Sequence, residues 1–202
     1  MNKTKAKLIT SLVAMAAIVV SFVYGTVAYF TDTVTSKGNV IVATGSASAS
    51  LLDVTLPYGS LEPSESGEPV EIMPGYSISK TVTAKNTGTY PLYVRVKLDY
   101  EITLADRYAD KQGEVDKSLV SMNIDTENWI LQDGYYYYKN PLHHGETAPA
   151  LMTQVSFSSE MGNIYKNSTV TFRINMEVVQ SNNNGANVFE AVGWTSSSGG
   201  GQ

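Results

Sequence analysis

The most constraining feature of the chain is a twelve-residue alternation, Thr169 to Gln180, whose side chains repeat every second residue. Val170, Phe172, Ile174, Met176 and Val178 fall on one face, and Thr171, Arg173, Asn175 and Glu177 on the other. A period of two places apolar groups on one side of an extended strand and polar groups on the other, which a helix cannot do. The same period recurs upstream. Ser77, Ser79, Thr81 and Thr83 alternate with Tyr76, Ile78, Val82 and Ala84, interrupted at Lys80. From Tyr90 to Ile102, Tyr93, Arg95, Lys97 and Asp99 stand opposite Leu92, Val94, Val96 and Leu98. Further strands are predicted at Ser46 to Leu56, Trp129 to Gln132, Tyr135 to Lys139 and Thr153 to Ser158.

Turn chemistry separates these runs. Asp133-Gly134 between Gln132 and the tyrosines Tyr135 to Tyr138 predicts a two-residue hairpin. Asn86-Thr87-Gly88 predicts a second turn, making the strands on either side an antiparallel pair. Helical pattern is confined to Glu114 to Met122, a short connecting helix, and a single turn over Asn187 to Val192. With 43% hydrophobic residues in 202 there is material for one real core. The fold class predicted is all-β, an antiparallel β-sandwich of jelly-roll-like connectivity with one or two short connecting helices. Leu61 to Pro69 reads as a surface loop and Ser196 to Gln202 as a disordered tail, and no internal repeat is evident.

The amino-terminal end points to export. Lys3, Lys5 and Lys7 precede an uncharged apolar run from Leu8 that ends only at Asp32, the layout of a signal peptide. Thr26-Val27-Ala28 supplies small residues where a signal peptidase reads, so cleavage is predicted between Ala28 and Tyr29. The run is also long enough to span a bilayer, so an uncleaved anchor is the competing possibility. This divides the chain into a signal peptide over 1–28, an amino-terminal arm over 29–45, a sandwich domain over 46–194 and a tail over 195–202. Net charge is -5 with no cysteine, and cleavage removes three lysines but no acid. Nucleic-acid binding is therefore not expected, nor are disulfides, thiolate chemistry or cysteine metal sites.

Gly25 to Asp32 (GTVAYFTD), Asn39 and the strand led by Gly45 resemble the signal junction of TasA-type biofilm matrix proteins and the related camelysin proteins. Met73-Pro74-Gly75 opening a strand, Lys85-Asn86-Thr87-Gly88 closing it, and the patch Asp133 to Glu146 (DGYYYYKNPLHHGE) are similar to segments of the same family. So is a last strand ending Glu177-Val178-Val179-Gln180 with Trp194 beyond. The resemblance implies export through a SipW-type signal peptidase, and a secreted, non-enzymatic β-sandwich that builds extracellular matrix or surface fibres with itself or related matrix proteins. It implies no cofactor, and contact with the membrane only through the signal segment.

A physical route to fibres exists in these residues. Once released, the arm carries Val40, Ile41, Val42 and Ala43, an apolar strand candidate without an obvious hairpin partner, which could add to the sheet edge of a neighbouring copy. Pairing within its own domain is the other option. Tyr136 and Tyr138 would form a partner surface if one face of the tyrosine run is exposed, and the alternative is that all four rings fill core and rim. Arg95 and Arg173 face positions from which Asp99 or Glu177 could pair with them, a weak contribution that marks no site.

Camelysin-like proteins have been classed as metallopeptidases, which makes a cell-surface metallopeptidase the alternative function, beside a membrane-tethered accessory protein. The only histidines are His143 and His144, and there is no His-Glu-x-x-His. Neighbours on an extended segment point apart, so the pair could share a metal only from a loop, with Glu146 as third ligand. A Pro-Leu-His-His-Gly turn is equally a plain solvated loop, and neither catalytic residues nor a metal site are assigned.

Overall fold

The alternating segments become strands because each can bury one face only against another such face. The computed structural model describes residues 31–35, 40–44, 47–56, 58 and 67–195. The signal segment, the Ala28 and Tyr29 junction, most of the 61–69 loop and the tail beyond 195 lie outside the described residues. The strands are β1 (Thr31–Thr35), β2 (Val40–Thr44), β3 (Ala47–Leu56), β4 (Val70–Glu71), β5 (Ser77–Asn86) and β6 (Leu92–Thr103). They continue with β7 (Val120–Met122), β8 (Trp129–Gln132), β9 (Tyr135–Tyr138), β10 (Met152–Phe157) and β11 (Thr169–Gln180).

Two antiparallel sheets form, one in the order β1-β11-β6-β9-β8, with β4 also on β11, and the other β2-β3-β5-β10-β7. From β5 to β11 the chain crosses between sheets at every step except the β8–β9 hairpin, the wrapped path of a jelly roll. The long alternation is the spine of the first sheet: β11 pairs with β6 from Thr169↔Thr103 to Gln180↔Leu92. Its apolar face, with Phe172, Ile174 and Met176, meets Leu51, Ile78 and Val82 of the second sheet in a continuous core. Each such side chain stabilises the sandwich by about 1.5–3 kcal/mol through burial.

At the Asp133-Gly134 turn, Asp133 at φ 51° and Gly134 at φ 79° adopt the left-handed backbone that a two-residue hairpin needs, and β8 and β9 pair across it. Two other expectations are corrected. Asn86-Thr87-Gly88 does not close a hairpin, because β5 and β6 belong to different sheets. It is a corner between layers, held by the buried Asn86 amide. Its Oδ1 accepts from Gly88 N at 2.8 Å, and its Nδ2 donates to the carbonyls of Tyr90 at 2.9 Å and Leu142 at 2.7 Å.

Glu114 to Met122 is not a helix. A nine-residue 3-10 helix, Asp106–Glu114, ends where the expected helix would begin, Lys117–Leu119 is a single 3-10 turn, and β7 begins at Val120. The Asp116 carboxylate accepts the Ser118 N–H at 2.8 Å, a local bond that competes with a helical ladder, while Val120 is buried beside β10. Near the end, a turn closes with Glu190 N donating to the Asn187 carbonyl at 3.2 Å.

Candidate functional site

The arm supplies the outermost strand of each sheet. β1 runs along β11 from Thr31↔Val179 to Thr35↔Asn175, and β2 along β3 from Val40↔Leu51 to Thr44↔Ala47. Val40, Ile41, Val42 and Ala43 therefore find main-chain partners in Leu51 to Ser48 of the same chain. Gly45-Ser46 between two strand-forming runs was the readable signal for this hairpin, which the sequence reading passed over. β1 also lies against β2 and β3, so the arm closes both layers on one flank. On the opposite flank of the first sheet, β8 is the outermost strand, with Leu131 59% exposed and Ile130 beside it.

The tyrosine run divides as alternation requires, with a different outcome from the expected partner surface. Tyr136 and Tyr138 are half-buried and pack on the core between the sheets, Tyr138 lying 5.4 Å from the Trp129 ring. They do not form an open contact face. Tyr135 and Tyr137 point to the outside of the first sheet, yet they are buried too. Residues 181–195 fold back over that face as a strap, and Val188, Ala191 and Trp194 join Tyr93, Tyr135 and Tyr137 in a second apolar cluster.

Under the strap sits a buried ion pair. Arg95 and Glu177 face each other across β6 and β11 and are 6% and 4% exposed. Arg95 Nε and Nη2 donate to Glu177 Oε2 at 2.9 and 2.6 Å, Nη1 donates to the Tyr137 hydroxyl at 3.0 Å, and Nη2 also donates to the Thr195 carbonyl at 2.8 Å. The guanidinium lies 3.9 Å from the centre of the Tyr135 ring and 4.8 Å from that of Trp194. Burial opposes the charge on Arg95, but the bonds to Tyr137 and Glu177 outweigh it and hold its pKa above the ordinary value. Burial, reinforced by the Glu177 charge, likewise pushes the Tyr135 phenol up. Arg173 instead pairs with Glu101 at 2.6 Å on the open surface.

The histidine loop is organised as a turn. Glu146 Oε2 accepts the His143 N–H at 2.8 Å, and His144 Nδ1 lies 2.5 Å from the Gly88 carbonyl. Glu146 thus caps backbone and His144 faces the Asn86 corner, while among the described residues no three His, Asp or Glu side chains gather to hold a metal. Sequence reading missed the second buried ion pair altogether. Lys80, taken as an interruption, points inward with Ile78 and Val82 and is 1% exposed. Its Nζ donates to Asp53 Oδ1 and, at 2.7 Å, to Thr55 Oγ1.

Comparison with protein-family models, curated proteins and solved structures yields no match to this chain.

Proposed function

We propose that the chain is an exported, non-enzymatic structural protein that associates outside the cell, in a biofilm matrix or on the cell surface, by lending its amino-terminal arm to a neighbouring copy. The observation that supports this reading most is the position of the arm: its two strands are the outermost members of both sheets on a single flank. A seat that accepts its own arm through main-chain pairing accepts the identical arm of another copy at little difference in energy. Passing the arm head to tail does not close on itself and so grows a filament. A SipW-type peptidase cutting before Tyr29 would free the arm from the membrane, and the resemblance to TasA and camelysin proteins agrees with that sequence of events.

Two measurements test the reading. Electron microscopy of the trimmed protein at rising concentration should show filaments, which deletion of residues 29–45 abolishes. Because the chain has no cysteine, Ile41→Cys and Ser50→Cys, register partners across β2 and β3, can be carried on separate copies and mixed. Disulfide-linked pairs of copies are expected under assembly conditions. A trimmed protein that stays monodisperse at every concentration, with no such linkage, overturns the proposal.

A further inference from the structure

A lysine and an aspartate in the middle of a β-sandwich need a reason, because taking two charges out of water carries a large desolvation penalty before their attraction is counted. Lys80 and Asp53 are held there by rigid neighbours. Lys80 stands opposite Thr55 in the β3–β5 register and Asp53 opposite Val82, so both project from adjacent strands into the same layer. Their side chains are 1% and 0% exposed. Thr55 Oγ1 accepts one Nζ proton at 2.7 Å, and the Phe172 ring of the facing sheet lies 5.0 Å from Nζ. The amine is thereby aimed at a carboxyl group in a site closed to solvent.

We propose that Lys80 and Asp53 are a modification site, where the lysine amine condenses with the aspartate carboxyl to form an isopeptide bond that covalently joins β3 to β5. Every atom needed is in the pair. A proton passes from the Nζ ammonium to the Asp53 carboxylate, leaving a neutral amine and a neutral acid. The nitrogen lone pair adds to Cγ, and the C=O electron pair moves to oxygen. A second Nζ proton then goes to the hydroxyl on Cγ, the C–O bond breaks and water leaves, so that nitrogen keeps one hydrogen in a planar amide. No oxidant, reductant or further reactant enters.

Three physical features favour the step. Two strands locked in register present the reacting groups as one molecule, which replaces an encounter by an effective concentration of about 10⁵–10⁸ M for well-aligned pairs. Burial lowers the Lys80 pKa against the opposing pull of Asp53, so the amine sheds its proton more readily than an exposed lysine does. The product replaces two buried charges by a neutral amide, and the same exclusion of water that makes the ion pair costly keeps hydrolysis from reversing it. For a chain with no cysteine, this is a covalent stitch that needs no oxidising compartment.

Mass spectrometry of the folded, purified protein tests this independently of whether the protein forms filaments. After denaturation and proteolysis, the peptides carrying Asp53 and Lys80 should travel as one branched species, lighter by one water than the two together, with fragmentation placing the link at these residues. Lys80→Arg, which keeps the charge but lacks the amine, should return two separate peptides. Wild-type protein that yields the two peptides separately at full sequence mass, or a link located elsewhere, overturns the proposal.

Discussion

Among the described residues, two ion pairs are buried in two different ways. Lys80 and Asp53 are enclosed by the two sheets themselves, so their surroundings form as soon as the sandwich forms. Arg95 and Glu177 occupy what would be the wet face of the first sheet, and are dry only because residues 181–195 return to cover them. The strap is not strand or helix. It holds on through the Trp194 ring over the guanidinium, the Thr195 carbonyl accepting from Arg95 and the Thr195 N–H donating to Glu177 at 3.3 Å. The inner pair is sealed by the whole fold, whereas the outer one is sealed by a single irregular segment that no sheet ladder holds.

That contrast can be broken at several points. The largest effect is expected from Asp53→Ala, which leaves the Lys80 amine enclosed without its carboxyl partner and should cost about 3–5 kcal/mol in urea denaturation. Glu177→Ala should cost less, about 2 kcal/mol, because the irregular strap is expected to yield more readily than the sheets and let water reach Arg95. Equal losses would mean that the strap is as unyielding as the sheets. Trp194→Ala should cost about 1–2 kcal/mol. It should speed hydrogen exchange at the Val192 and Thr195 amides while β11 stays protected.

Alkaline pH sharpens the comparison from another side. Burial raises the Tyr135 phenol above its ordinary 10.0, so the unfolded chain releases this proton first. The contribution is intact below pH 10.0 and is lost as pH climbs from there toward the folded value. Thermal melts should therefore fall less steeply above pH 10.0 in Tyr135→Phe. The smallest change belongs to Arg173→Ala. Its partner Glu101 is on the open surface, and the loss should stay under about 0.5 kcal/mol.

Strand identity was readable where a face alternates without a break, and β8 and β11 match the expected Trp129 to Gln132 and Thr169 to Gln180 at both ends. Sheet membership was not. Asn86-Thr87-Gly88 has hairpin chemistry, yet β6 joins β11, whose residues lie far along the chain, and no local pattern encodes that choice. The inner ion pair was legible in principle. Lys80 shares the parity of Ile78 and Val82, and Asp53 and Thr55 share that of Leu51, so both phases point a charge inward. Treating Lys80 as an interruption discarded the signal. The strap left no periodic trace, because its burial rests on separate anchors such as Val188, Ala191 and Trp194. Tyr136 and Tyr138 do not form an open contact face because their phase of the alternation turns them onto the core between the sheets, while Tyr135 and Tyr137, on the other side, lie under the strap.

The flank built by β1 and β2 carries a kinetic consequence. A copy that surrendered this segment would bare β11 and β3 together, so exchange would be an all-or-nothing event with a high initial barrier. Growth by such a route would start after a lag, accelerate once a few linked copies existed, and respond to small amounts of preformed seed.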